Sequence, residues 1–154
     1  MQEVEPNRRL TRPVHVIVLI LFILYSLIMI KLLFIRGSSY RWAIYNYNIV
    51  PFHTIKSLIY HRHAYNTDAW VKNLFGNIVL FIPLGVCLPL LSRRLCNATR
   101  SLAAIILILF LVETIQLVTK VGSFDVDDII LNTLGAGIGL VLIKLFMFAS
   151  RLKS

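Results

Sequence analysis

Residues 102–149 read LAAIILILFLVETIQLV (102–118), TKVGSFDVDD (119–128) and IILNTLGAGIGLVLIKLFMFA (129–149). Two apolar runs, each close to the ~17–25 residues that a membrane-spanning helix needs, flank a short polar connection. Inside and between them sit Glu113, Gln116, Asp125, Asp127, Asp128 and Asn132. The remaining acids of the chain are Glu3, Glu5 and Asp68. Carboxylates are costly in hydrocarbon, and those retained there usually face a bundle interior, pair with a partner and mark a functional site. The segment that decides the fold is therefore also where function is expected.

Composition points the same way. The chain is 58% hydrophobic and 15% charged, with a mean hydropathy of +0.78. A soluble domain is nearer ~45–50% apolar and ~25% charged. The expected class is an all-α integral membrane bundle. A formal net charge of +9 suggests nucleic acid at first sight, but basic residues flank spans for topological reasons and meet anionic lipid there. No nucleic-acid-binding motif accompanies the charge, so no nucleic-acid partner is expected. Cys87 lies in an apolar run and Cys96 in a basic loop, and no disulfide is expected between them.

Working outward, two further apolar runs appear, Val14–Ile35 and about Leu74–Leu91. The first follows Arg8, Arg9 and Arg12 but is too long for a signal peptide and has no small-residue cleavage site after it. Four transmembrane helices are expected, with the basic clusters Arg8–Arg12, Arg93–Arg100 and Arg151–Lys153 on one side. The positive-inside rule makes that side the cytoplasm, with both termini there. The segments are then 1–13, cytoplasmic; 14–35, the first transmembrane helix; 36–72, an extracytoplasmic stretch rich in Tyr and Trp, with an interfacial helix from about Pro51 to Tyr60; 73–149, a three-helix core; and 150–154, a cytoplasmic tail.

Helical spacing places the polar residues. Asn73 and Asn77 are four apart at the start of the second span, Glu113 and Gln116 three apart near the end of the third, and Asp128 and Asn132 four apart at the start of the fourth. Each pair is expected on one helix face. All fall at one level, in the outer part of the bilayer, which predicts a single outward-opening polar pocket. The candidate binding residues are Asn77, Glu113, Gln116, Asp125, Asp127, Asp128 and Asn132. The plainer alternatives remain open: Asn77, Gln116 and Asn132 as interhelical hydrogen-bond partners, Asp125 and Asp127 as solvated loop acids, and Asp128 as a helix cap. His61 and His63 sit in a polar loop with no metal-ligand pattern, and neither a metal nor a cofactor is expected. Gly135 and Gly139 give the fourth span a small-residue face for close helix contact.

Four blocks carry a resemblance: Asn48-Ile-Val-Pro51-Phe52; Asn77 through Phe81-Ile-Pro83-Leu-Gly85; Glu113-Thr-Ile-Gln116; and Asp125-Val-Asp127-Asp128 through Asn132-Thr-Leu-Gly135, followed by Gly139. In this order, over residues 48–140, they resemble the VanZ-like family, small multi-span bacterial membrane proteins named for an accessory glycopeptide-resistance protein. The chain departs from the pattern at Gly122-Ser123-Phe124, where family members often carry a basic residue; Lys120 is the nearest. The resemblance implies a multi-pass protein of the bacterial cell membrane associated with resistance to teicoplanin, a glycopeptide with an acyl chain. One expectation is a non-enzymatic envelope protein that binds a membrane lipid, or a lipid-linked or acylated amphiphile. The alternative is a membrane enzyme modifying a lipid or lipid-linked cell-wall intermediate, with Glu113 and Asp128 as candidate catalytic residues and Glu113 as acid or base. An ion or proton pathway is disfavoured, because spans two to four carry almost no polar residues toward the basic side.

Overall fold

The computed structural model describes residues 12–35 and 44–152. Arg8, Arg9 and Lys153 of the basic clusters, and residues 36–43 of the stretch rich in Tyr and Trp, lie outside the described residues. Four helices are long and apolar enough to cross a membrane: Arg12–Ile35, Lys72–Leu91, Ala98–Thr119 and Val126–Ser150. The chain is an all-α, multi-pass membrane protein.

Helix α1 (Arg12–Ile30) carries Pro13 in its first turn, where a missing N–H costs nothing, and ends in a π-helical turn, Lys31–Ile35. A short extended piece, β1 (Tyr47–Asn48), leads into the surface helix α2 (His53–Tyr60). Helix α3 (Thr67–Val71) runs through a second π turn, Lys72–Gly76, into α4 (Asn77–Leu91). Helix α5 (Ala98–Thr119) is capped by Asn97, whose side chain accepts from the Arg100 N–H at 3.2 Å. It stops at Lys120, which takes a left-handed φ of 59° while the Val121 and Gly122 N–H groups return to the Gln116 carbonyl. After β2 (Phe124–Asp125), helix α6 (Val126–Leu152) opens with Asp127 and Asp128 in its first turn. Acids there complement the positive helix end.

The most extensive helix pair is α4 with α6; α5 packs on α6 and α1 on α4. Glycine makes the α4–α6 approach possible. A Cβ on Gly85 would overlap the Ala136 carbonyl oxygen, and one on Gly135 would overlap the Ile78 carbonyl oxygen. Around this contact Met29, Phe81, Leu84, Leu88, Ile105, Leu109, Ala136 and Leu140 form one buried cluster. The helices' outer faces are apolar and exposed, as at Ile20, Leu107 and Phe146; on a membrane bundle this is the lipid-facing surface. Pro83 and Pro89 lie within α4. Pro83 removes a backbone hydrogen bond there, and one turn earlier the Leu80 carbonyl accepts from the Tyr25 hydroxyl of α1 at 2.8 Å. The carbonyl that Pro83 leaves without an intrahelical donor is that of Val79, so the Tyr25 bond ties α1 to the adjacent carbonyl rather than replacing the one lost.

Candidate functional site

The acidic block is built on a join between two distant segments. β1 and β2 pair in parallel, Tyr47 opposite Phe124 and Asn48 opposite Asp125. This brings the loop before α2 against the start of α6. Asp125, 9% exposed, is the hub. Its Oδ1 accepts from Asn48 Nδ2 at 3.1 Å and from the Asp127 N–H at 2.8 Å, and its Oδ2 accepts from Thr54 Oγ1 at 2.7 Å. Its own N–H donates to Glu113 Oε2 at 3.1 Å.

Asp127 is fully buried and acts on another helix. Its Oδ1 accepts from the Phe52 N–H and its Oδ2 from the Ile55 N–H at 3.0 Å. Helix α2 has no side-chain cap of its own: Phe52 stands at the cap position with a left-handed φ of 64°. The first N–H groups of a helix have no intrahelical partner, and here a carboxylate from across the fold satisfies two donors at that end. The solvated-acid alternative for Asp125 and Asp127 is thereby excluded, because both are withdrawn from water and hydrogen-bonded.

Asp128, one residue on, turns toward α4 and accepts from Asn77 Nδ2 at 2.6 Å. Glu113 is 4% exposed and lies within electrostatic range of both Asp125 and Asp128. Asn77, Glu113, Asp125, Asp127 and Asp128 are therefore brought together. Gln116 is turned elsewhere: its Nε2 donates to the Leu33 carbonyl of α1 at 3.0 Å. Asn132 is buried at 5% exposure, and its Oδ1 has no hydrogen-bond partner. Asn73 is exposed, whereas Asn77 is half-buried and bonded to Asp128.

Sequence reasoning did not assign roles to Asn48, Thr54 or the Phe52 and Ile55 amides. One signal was present: Pro51-Phe-His-Thr54 opens a helix with no acceptor at its cap, so the acceptor had to come from elsewhere. Lys120, the cation nearest the departure from the family pattern, places its Nζ 4.6 Å from the Tyr45 ring centroid. Among the described residues no cluster of three His, Cys, Asp or Glu side chains is arranged to hold a metal ion.

A family model described as VanZ/LLP1 matches residues 18–147. The chain belongs to the VanZ/LLP1 family. Over 88 residues it is 26% identical to Protein VanZ of Enterococcus faecium, a stretch that covers 54% of this chain and 54% of that protein. The chain therefore spans about half the length of the curated relative it matches. No solved structure matches it. The four blocks that carried the resemblance are the ones the fold draws to one end of the VanZ-like bundle: Asn48 meets Asp125, Asn77 meets Asp128, and Glu113 meets the Asp125 backbone.

Proposed function

We propose that this VanZ-like protein acts in the bacterial cell membrane and contributes to resistance to teicoplanin-type glycopeptides, by binding an acylated or lipid-linked amphiphile at the acidic end of the bundle. The observation that carries this reading is unused acceptor capacity in a buried place. Among the described residues Glu113 and Asp128 each accept one hydrogen bond and the Asn132 Oδ1 accepts none. A carboxylate has room for about four donors, and an uncompensated buried charge is strongly unfavourable. A polar ligand group rich in N–H or O–H donors would satisfy these atoms. The apolar rim formed by Ile44, Tyr47, Ile49, Val50 and Phe52, all exposed, would meet the ligand's acyl chain and the bilayer. The enzymatic alternative draws on the same cluster, in which Glu113 and Asp128 lie within electrostatic range of each other.

Glu113→Gln tests the reading. A glutamine oxygen can keep the bond from the Asp125 N–H, so the variant should reach the membrane at normal abundance and melt in detergent within about 1 kcal/mol of the parent, the size of one net hydrogen bond. Teicoplanin susceptibility of a Gram-positive host should nevertheless return to that of cells lacking the protein. Full protection by the stable variant would reduce Glu113 to a packing residue and sink the proposal.

The acidic end is proposed to face outward, with the Arg93–Arg100 loop and both chain ends cytoplasmic. In a background without Cys87 and Cys96, Ser123→Cys should react with an impermeant thiol reagent on intact cells, to at least the level reached after lysis. Reaction only after lysis would invert the topology.

A further inference from the structure

The acidic cluster lies at one end of the bundle. Toward the other end, between α5 and α6, runs an almost wholly apolar groove of about 510 Å³, within the ~300–1,000 Å³ usual for ligand pockets. Its floor is one face of α6, with Thr133, Gly137, Val141 and Lys144 at helical spacing, and its far wall is Ala98 and Leu102 from the first turns of α5. From Thr133 to Lys144 the α6 axis rises ~16 Å, about half of the ~30 Å hydrocarbon thickness.

Two features give this groove chemistry. Lys144 is exposed, lines the groove, and is the one charged residue of α6 between Asp128 and Arg151. Ala98, in contact with the same groove, begins the 22-residue helix α5, whose partial positive charge lies at that end. The groove is thus positive at the end bearing the basic loop, apolar along one leaflet's depth, and open at Gly137, where a Cβ would meet nothing within 4 Å.

We propose that the α5–α6 groove is a binding site for one anionic phospholipid of the leaflet on the basic side. The phosphate would sit between Lys144 and the start of α5, with an acyl chain laid along Gly137 toward Thr133. Charge complementarity selects this occupant: a second copy of the chain would bring its own Lys144 and basic loop to the same end of the groove. The site is separate from the acidic cluster and stands independently of the function proposed for it.

The test uses the full chain in nanodiscs of equal parts phosphatidylglycerol and phosphatidylcholine, released into a mass spectrometer to identify retained lipid. One basic residue at a membrane surface corresponds to about a fivefold preference for anionic lipid. The parent should retain phosphatidylglycerol over phosphatidylcholine by about that factor. Lys144→Gln should retain a lipid with a ratio near unity, because the apolar channel is intact. Gly137→Phe should retain none, since its ring would enter the channel from a position where a Cβ meets nothing within 4 Å. Leu134→Trp, at an exposed lining position, is the second filler should the first reduce thermal stability. Equal retention of both lipids by the parent overturns the proposal, as does an unchanged preference in Lys144→Gln. A parent dimer that Gly137→Phe dissociates would assign the groove to a second copy instead.

Discussion

Gly135→Leu should cost the protein its folded bundle, while Gly137→Leu, two residues along the same helix, should be silent. Both changes replace glycine by a strong helix former and gain the same intrinsic propensity, up to ~1 kcal/mol. They differ in what the new Cβ meets. At Gly135 it overlaps the Ile78 carbonyl oxygen; at Gly137 it meets nothing within 4 Å. The atom in the way belongs to a helix backbone, and α4 cannot move outward without separating from the α6 surface that buries Phe81, Leu84 and Leu88. Overpacking in a closed core costs ~1–3 kcal/mol when side chains can adjust, and a backbone collision lies at or beyond the upper end of that range. Membrane abundance and thermal unfolding in detergent measure it. A Gly135→Leu protein as stable as its Gly137→Leu control would mean that α4 and α6 do not approach as described.

Asp127→Ala should open the loop before α2 and α2 itself while leaving the transmembrane helices assembled. The change removes the acceptors of the Phe52 and Ile55 N–H groups. A buried donor left without a partner costs ~1–3 kcal/mol, so two place the loss at ~2–6 kcal/mol before water enters. Asp127→Asn should recover little of it. One amide oxygen can serve one N–H, but the amide nitrogen is then a donor facing a donor. Hydrogen exchange reads the result locally: residues 52–60 should lose protection in both variants, while α4 and α6 keep theirs through the glycine-lined contact. Protection at 52–60 equal to the parent's in Asp127→Ala would show that α2 is held by Leu58, buried beneath it, rather than by its distant cap.

The span count and the level of the polar residues were legible because both are local sums. Whether a segment crosses the bilayer depends on the apolarity of its own twenty or so residues, and depth follows from a constant rise per residue. The blocks around Asn77, Glu113, Asp125 and Asn132 could therefore be assigned to one end of the bundle before any contact was known. Helical phase also restricted each side chain to an arc of its helix, which was sufficient for Asn77 and Asp128 to meet. The small residues at Gly135 and Gly139 announced a close helix contact, though not with which partner.

What that arc finally touches was decided by tertiary structure. Gln116, three residues from Glu113, meets the Leu33 carbonyl of α1, because the arc it shares with Glu113 is wide enough for two neighbours. Asp125 meets Asn48 across 77 residues and Asp127 meets Phe52 across 75, partners that no spacing rule connects. By itself the sequence placed these acids at one end of the bundle, since the transfer cost of each residue acts wherever its neighbours are. Only the tertiary structure decided that Asp125 and Asp127 hold the fold together, while among the described residues Glu113, Asp128 and Asn132 keep acceptors to spare. Hydrogen bonds reach ~3 Å, and at that range the partner depends on how the helices pack.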